Sequence, residues 1–571
     1  MMKKIALQYI LGLSSLFFLT TSCEDLLVEK NLTGLTQESV YTTPAGFESL
    51  VNAAYSYNRY WYGKEEGYNL SEMGTDLWFP GVDNRRIDLM LYTNLQGSEA
   101  GLASTEVFIE RLWQRLYTAV NLCNAGIEGV GKSGLTPALQ RTREAELRFL
   151  RAFYYWHIVE QWGGVHFTTE VPKTTVLTAN RTPVEVFYRQ IFEDLNFAIA
   201  NLPNTTTDYG RVTKPAAEAF TARMHLTRGN NREASELAQK VISGYNFALT
   251  PRYSDLWRMN NLRNSEVIWA VNYTQDLTLS DLRNNVSNVD GHPRGGHNGH
   301  LHFGMTYERA AAGAIGMQRD LANGRPFCRY MPTPFLYDLF DEKIDQRYND
   351  SFKQVWITNR AGSYAKSIGG REVRVTLAIG DTAMVATKYV VPNEVQLTKR
   401  HLFIDRNRMF RNDGTFFQNA LFAPLQKFDD PTRPTFNEAQ SARDAFVIRL
   451  AEMYLIAAEA EMKLNNTARA VELINVVRRR AAVPGRQNEM NISASQLSID
   501  FILDERAREF AGEQLRWFDL KRTGKLIERV KKYNPAAALF IQDYHVLRPI
   551  PQVQIDGVEN KSEFTQNPGY K

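Results

Sequence analysis

The chain has 571 residues and a formal charge of +4 at pH 7. A charge this small argues against nucleic acid as the partner, because phosphate binding needs clustered positive charge. Its 44% hydrophobic residues are enough to build a large core. Three cysteines exclude a disulfide framework, although one bridge between Cys123 and Cys328 stays open.

The N-terminus has the layout of an export signal. Lys3 and Lys4 precede a mainly apolar run over residues 5–19, and small residues then lead to Cys23. The pattern predicts a signal peptide over residues 1–22, because the run is too short for a membrane-spanning helix. A cysteine directly after the small residues predicts a lipoprotein, with Cys23 as the acylated residue that anchors residues 23–571. The alternative is an ordinary signal cleaved nearby, which would leave Cys23 free.

Helical patterns dominate up to about residue 245. After Pro137, apolar residues from Leu147 to Ile158 recur on two faces of a long predicted helix. A helix that is apolar on two sides packs between other helices. Gly163 and Gly164 are expected to end it.

Two distant segments share a pattern of helix, tight polar turn and helix. Residues 215–242 and 450–477 align at an offset of 236 residues, with Ala222 matching Ala458 and Asn230 matching Asn466. Small residues at facing positions let neighbouring helices approach closely, as in helical-hairpin repeats. We therefore expect a helical scaffold in two parts, over about residues 40–245 and 445–530.

The middle of the chain, about residues 246–440, has a different composition. It is rich in Gly, Pro, Asn and aromatic residues, and Val373, Val375, Leu377 and Ile379 alternate with other residues as in a half-exposed strand. A turn at residues 380–381 separates this strand from a possible second one over residues 385–391. Loops and short strands of this kind usually carry the binding function.

Several long motifs occur in order along the chain: residues 144–155, 161–165, 454–460, 505–513, 516–522, 547–551 and 565–570. With these motifs the chain resembles the SusD/RagB family of outer-membrane nutrient-binding lipoproteins. The middle of the chain matches less clearly than the ends.

The resemblance implies a single domain over residues 23–571 that is mainly α. It consists of a tetratricopeptide-like scaffold of about four helix pairs and an irregular loop and short-strand ligand-binding region. It also implies a lipid-anchored protein on the exterior of the outer membrane, docked on a SusC-like TonB-dependent transporter that imports the captured oligosaccharide. Glu24 and Asp25 are similar to the family's acidic surface-export signal. No cofactor and no nucleic acid are implied.

The carboxylates of residues 505–513 are the first place to look for catalysis, because a glycosidase needs two of them facing a cleft. Glu505, Arg506, Arg508, Glu509 and Arg516 interleave opposite charges at helical spacing. This spacing favours an ion-pair network that ties the last helix to its neighbours. The common hydrolase, nucleotide-binding and zinc-protease motifs do not occur in the sequence. We therefore expect no enzyme.

A glycine-rich segment contains His292, His297, His300 and His302. Four histidines could ligate a transition metal. The glycines set no fixed ligand spacing, and the segment itself holds no acidic residue to orient the rings. We therefore predict a polar loop that faces the ligand or the transporter, with no metal, although the metal alternative stays open.

Sugar binding requires flat aromatic faces beside hydrogen-bonding side chains. A Pro/Gly-broken loop holds Trp78 as the predicted stacking platform, although tryptophan is usually mostly buried and a packing role stays open. Trp257 and Trp269 are expected to pack in the core. The other predicted glycan-binding residues are Phe79, Asp83, Asn84 and Arg85 in this loop and Tyr307, Arg325 and Tyr330 in the middle region.

The expected function is therefore capture of an oligo- or polysaccharide and its delivery to the transporter. The second hypothesis is a helical-repeat adaptor that binds a protein or peptide through its aromatic loops. A lipoprotein hydrolase is the third. The identity, linkage and length of the glycan do not follow from the sequence.

Overall fold

The computed structural model describes residues 41–95, 105–274, 276 and 296–570, with only the backbone for residues 105–107. The predicted signal peptide, Cys23, Glu24, Asp25 and His292 lie outside the described residues.

Helices make up most of the regular structure in these residues. The early α-helices are α1 (Pro44–Ser56), α2 (Glu65–Glu72), α3 (Ile87–Leu91), α4 (Thr105–Gly129), α5 (Pro137–Trp162), α6 (Val184–Asn201), α7 (Lys214–Arg228) and α8 (Asn231–Gly244). The short middle helices are α9 (Gly299–Phe303), α10 (Pro334–Asp338), α11 (Arg347–Ser351), α12 (Asn393–Thr398) and α13 (Arg406–Met409). The late helices are α14 (Leu450–Lys463), α15 (Thr467–Arg480), α16 (Ile499–Phe510), α17 (Arg516–Arg522), α18 (Leu526–Tyr533), α19 (Pro535–Ala538) and α20 (Gln552–Asp556).

The strands are short and lie mainly in the middle of the chain. They are β1 (Trp78–Pro80), β2 (Val267–Val271), β3 (Tyr330–Pro332), β4 (Val355–Ile357), β5 (Gly362–Ile368), β6 (Arg371–Leu377), β7 (Thr382–Ala386), β8 (Leu402–Ile404) and β9 (Ala445–Arg449). They form the pairs β1–β3, β2–β9 and β5–β6 and the three-stranded sheet β4–β7–β8.

Four helix pairs form the scaffold: α1 with α4, α5 with α6, α7 with α8, and α14 with α15. Helices α8 and α14 also pack together, so the early and late parts of the chain form a continuous stack. The predicted mainly α fold with four helix pairs is confirmed. The first pair is interrupted by residues 57–104, which carry β1.

Helix α5 lies at the centre of this stack, as its two apolar faces predict. Pro137 begins it, and the hydroxyl of Thr136 accepts a hydrogen bond from the Leu139 N–H. Nearly every side chain from Ala145 to Trp162 is buried. Gly163 ends the helix at a φ of 70°, a conformation that favours glycine.

The two similar helix pairs are confirmed, and they contact each other. Arg223 of α7 donates two hydrogen bonds, of 2.8 and 2.7 Å, to the carboxylate of Glu452 in α14. The two turns between helices use matching left-handed residues, Gly229 at a φ of 78° and Asn465 at 65°. The repeat therefore extends to backbone conformation at equivalent positions.

The middle of the chain forms short strands, as predicted, but with other partners. The strand predicted over residues 373–379 is β6, and it pairs with β5 rather than with the segment that follows it. The strand predicted over residues 385–391 ends earlier, as β7, and pairs with β4 and β8. The tight turn at Gly369 and Gly370 closes the β5–β6 hairpin instead.

The predicted ion-pair network around Glu505 and Glu509 is confirmed. Both carboxylates are buried. Arg347 lies 2.8 Å from Glu505 and 2.9 Å from Glu509, and Arg449 lies 2.6 Å from Glu509. Although burial opposes ionisation, Arg480 together with Arg449 and Arg347 lowers the pKa of Glu509 well below its ordinary value.

The two described cysteines do not pair. Cys123 and Cys328 are free and buried, so the bridge that the sequence left open does not form. Burial raises the pKa of the Cys328 thiol to about 12, which keeps it protonated and unreactive. Among the helices of the described ranges, we find none that combines the length and apolar character needed to cross a membrane.

Loss of Arg449 should strongly destabilise the fold. An Arg449→Met variant would remove the guanidinium that Glu266, Glu509 and Glu513 share, and would leave these carboxylates with the weaker set of Arg347, Arg480 and Lys427. Breaking a buried ion pair by removing one partner costs about 3–5 kcal/mol. Urea unfolding should show this loss. The exposed Arg371→Met control should change the free energy of unfolding by less than about 0.5 kcal/mol. Equal midpoints for the two variants would contradict the role of Arg449.

Candidate functional site

The pairing of β1 with β3 places two distant loops side by side. Phe79 pairs with Met331, and the ladder continues past the strands, where the Gly81 N–H donates to the Arg329 carbonyl at 2.8 Å. A Cβ on Gly81 would lie 2.0 Å from the carbonyl oxygen of Cys328, so this close approach requires glycine. Residues 81–86 therefore lie beside residues 325–329.

Trp78 is fully buried in β1, so the prediction that it stacks on a sugar is wrong. Its ring packs edge-on against Phe303, with the centroids 5.0 Å apart. Its indole N–H donates to Glu72 at 2.8 Å, and burial raises the pKa of Glu72 to about 8. Tryptophan gains more from complete burial with its N–H satisfied than from exposure in a loop. Trp257 and Trp269 are buried, as expected.

Three other predicted rings are also buried and cannot stack on a ligand: Phe79, Tyr307 and Tyr330. Tyr330 stacks on Phe303 at 4.7 Å beneath the β1–β3 pair. The hydroxyl of Tyr307 donates to the Gly324 carbonyl at 2.8 Å and accepts from the Asp320 N–H at 3.1 Å. These rings support the neighbouring loops, because their faces are used in packing.

The polar residues of the early loop lie at the surface, as predicted. Asn84 and Arg85 are exposed and Asp83 is half-buried. Arg85 donates to Asp83 from Nε at 3.0 Å and from Nη2 at 2.8 Å, and the buried Arg329 lies 3.0 Å from the same carboxylate. Partial burial opposes ionisation of Asp83, but the hydrogen bonds from Arg85 and the charge of Arg329 hold its pKa well below the ordinary value.

The half-buried ring of Phe327 joins the early loop to the middle region. The guanidinium carbon of Arg85 lies 5.8 Å from the ring centroid, and that of Arg325 lies 5.5 Å from it. Arg325 also donates from Nη1 to the Asn437 carbonyl at 3.2 Å. Two predicted residues, Arg85 and Arg325, are thus brought together by an aromatic residue that the sequence analysis missed.

We name the residues around this ring the Phe327 surface: residues 81–86, 320–327 and 433–440. Its rim includes the apolar side chains of Val82, 37% exposed, and Phe436, 40% exposed. Such a surface offers aromatic faces for the C–H groups of a ligand. Its guanidinium, amide and carboxylate groups can exchange hydrogen bonds with hydroxyls. No local signal in residues 320–330 distinguishes Phe327 from the other aromatic residue there, Tyr330, because the strand pairing decides which of the two rings is accessible.

The described histidines do not form the polar ligand-facing loop that we predicted. His297, His300 and His302 are buried, and the last two lie in α9. His297 lies 3.1 Å from the Tyr68 hydroxyl through its Nε2 atom, and burial lowers its pKa well below the ordinary value. In the ranges that the structure covers, no group of three or more His, Cys, Asp or Glu side chains is arranged to hold a metal ion.

Comparison with known proteins gives matches over most of the chain. The model of the SusD family matches residues 265–570, and a family model described as starch-binding associating with outer membrane matches residues 82–226.

SusD-like protein P25 of Formosa agariphila is 26% identical over 570 residues, which cover 97% of this chain and 98% of that protein. The starch-binding protein SusD of Bacteroides thetaiotaomicron is 26% identical over 464 residues, or 77% of this chain and 74% of that protein. A solved laminarin-binding SusD-like protein superposes with a TM-score of 0.65 at 21% identity, over 93% of this chain and 100% of that one.

The fold of this chain agrees with that of the solved structure. The SusD family model alone spans more than half of the chain. The chain belongs to the SusD family.

Proposed function

We propose that this protein is a cell-surface glycan-binding lipoprotein that captures an oligo- or polysaccharide and passes it to a TonB-dependent outer-membrane transporter. The observation that carries the proposal is the Phe327 surface, where the guanidinium carbons of Arg85 and Arg325 lie 5.8 and 5.5 Å from the centroid of one half-buried ring. A sugar ring can stack its C–H face on such an aromatic group while the arginines donate to its hydroxyls.

Starch and laminarin are the first glycans to test. A starch-binding protein is among the relatives, and a laminarin-binding protein shares the fold. Both polymers are chains of glucose, so they offer ring faces that a half-buried phenyl group at the surface can contact. The affinity for a single chain end should be modest, because a shallow surface leaves little surplus after the cost of ordering the ligand. Repeated engagement along a polymer raises the effective affinity.

The proposal is for binding without cleavage. The carboxylates that a glycosidase would need in residues 505–513 are buried and paired with arginines. A general acid requires a raised pKa, whereas the surrounding arginines lower the pKa of both Glu505 and Glu509. At the Phe327 surface, Asp83 is likewise held ionised by two arginines. None of these three groups is suited to protonate a leaving sugar.

Removal of the Phe327 ring should weaken glycan binding. The measurement is isothermal titration of the mature chain, residues 23–571, against starch, laminarin and a panel of other polysaccharides. Phe327→Ala should bind about tenfold more weakly than the unmodified chain, because an aromatic contact contributes about 1.5 kcal/mol. The matched control is Tyr389→Ala, an exposed aromatic residue that also lies near a cation, Lys388, but outside the Phe327 surface.

An equal loss of polysaccharide affinity in Phe327→Ala and Tyr389→Ala, or no loss of affinity in either variant, would contradict the assignment of the Phe327 surface as the binding site. Release of new reducing ends during the titration would contradict binding without cleavage. No heat with any polysaccharide would favour the adaptor hypothesis over glycan capture.

The lipid anchor is the second testable part of the proposal. Cys23→Ala removes the predicted acylation site and leaves the glycan-binding residues unchanged. Each buried methylene of an acyl chain contributes about 0.8 kcal/mol of membrane affinity, so the variant should leave the membrane fraction. It should bind polysaccharide normally in solution, while uptake by cells that produce it should fall. Undiminished uptake would show that the protein need not stay beside the transporter.

A further inference from the structure

A cleft that is separate from the Phe327 surface lies between α1, the loop before α7 and strand β2. Its volume is about 570 Å³, within the range of small-molecule sites. It shares no residue with the Phe327 surface. Its lining comes from residues 49–59, 208–211 and 269–272.

Two amide oxygens beside this cleft are buried without a hydrogen-bond partner. Asn58 is 2% exposed, and neither its Oδ1 atom nor that of Asn272 is hydrogen-bonded. The Asn272 amide packs so closely on Gly210 that a Cβ there would lie 2.3 Å from Oδ1. An unsatisfied buried acceptor costs about 1–3 kcal/mol, which a ligand hydroxyl would recover by donating to it.

The charges of Arg211 and Asp208 in the cleft are paired within the protein. Arg211 pairs with Glu146 at 2.7 Å and with Asp208 at 2.5 Å, and it donates to Asn52 at 2.8 Å. Arg59 donates from Nε to the Asn272 carbonyl at 3.2 Å. An anion such as hydrogen phosphate offers mainly acceptors, which cannot satisfy the oxygens of Asn58 and Asn272. The two guanidinium groups disfavour a cation.

Aromatic residues complete the lining. The half-buried rings of Tyr55 and Tyr209 line the cleft, whereas Trp269 is buried and offers no open ring face. Trp269 donates its indole N–H to the Gly210 carbonyl at 3.0 Å, and Arg263 lies 4.4 Å from the Tyr209 ring centroid. Aromatic groups beside amides and hydroxyls suit a ligand with apolar C–H faces and several hydroxyl donors.

We propose that this cleft is a separate binding site for a short neutral saccharide. The ligand donates hydroxyl hydrogens to the acceptors of Asn58, Asn272 and Asp208 and places a ring face against the aromatic lining. A protein with both sites could hold one glycan end in the cleft while the Phe327 surface contacts another part of the polymer. Two linked contacts of modest strength raise the overall affinity.

The test uses the mature chain carrying Phe327→Ala, so that heat from the Phe327 surface is reduced. Isothermal titration is run with glucose, galactose, mannose, xylose, maltose and laminaribiose, and with inorganic phosphate as the anionic probe. At least one neutral saccharide should bind with a stoichiometry of one, and phosphate should not. Binding of phosphate alone, or of no saccharide, would overturn the proposal.

Two further variants locate the binding. Asn58→Leu and Tyr209→Ala, each added to Phe327→Ala, should weaken saccharide binding at least tenfold. The matched control is Asn204→Leu. It changes an exposed amide that lies in the same loop as Tyr209 but outside the cleft, so the affinity should stay unchanged. Affinities unchanged in both cleft variants would overturn the proposal.

A measurement on the unmodified mature chain covers the case in which a variant does not fold. Hydrogen exchange with the bound saccharide should slow in residues 205–212 and 268–273. Unchanged exchange there would overturn the proposal even if the sugar binds elsewhere. Because the cleft and the Phe327 surface share no residue, either site can fail without the other.

Discussion

The buried guanidinium of Arg449 joins parts of the chain that are far apart in sequence. It lies 2.7 Å from Glu266 at the start of β2 and 2.6 Å from Glu509 in α16, and it also pairs with Glu513. β2 and β9 begin and end the long middle region, and they pair with each other. The β2–β9 strand pair and the ion pairs of Arg449 therefore hold the two ends of the middle region together, and the helix pairs of the scaffold lie before and after this region in the sequence. Loops can vary within such an insertion without disturbing the stack.

A second buried cluster fixes the early loop to the end of the chain. Asp76 lies 2.6 Å from Arg516 and 3.0 Å from Arg529, and Asn534 donates to the Trp78 carbonyl at 3.0 Å. These contacts hold β1 in place, and β1 in turn fixes β3 and the loop that carries Phe327. Charges from the late helices thus position the early loop of the candidate site, and groups that are positioned before binding lose less entropy when the ligand binds.

The helix pairs were predictable because their signals are local. Helix α5 shows this: its two apolar faces, the proline at its start and the glycine at its end can each be recognised from residues within a few helical turns. The charged residues of α16 also predicted ion pairs, but not their partners, because Arg347 and Arg449 come from other elements. The site was only partly predictable. Arg85 and Arg325 are at the surface, yet Trp78 is buried, and Phe327 is the ring that both arginines approach. Which aromatic residue remains accessible depends on the β1–β3 register, which no local pattern encodes.

The central claim is that glycan binds where the early loop meets the middle region. The most direct test is hydrogen exchange of the mature chain with and without the polysaccharide that binds best in titration. Exchange should slow in residues 81–86, 320–327 and 433–440, because a bound chain covers all three segments of the Phe327 surface. Unchanged exchange in these segments, at a polysaccharide concentration that saturates binding, would contradict the claim.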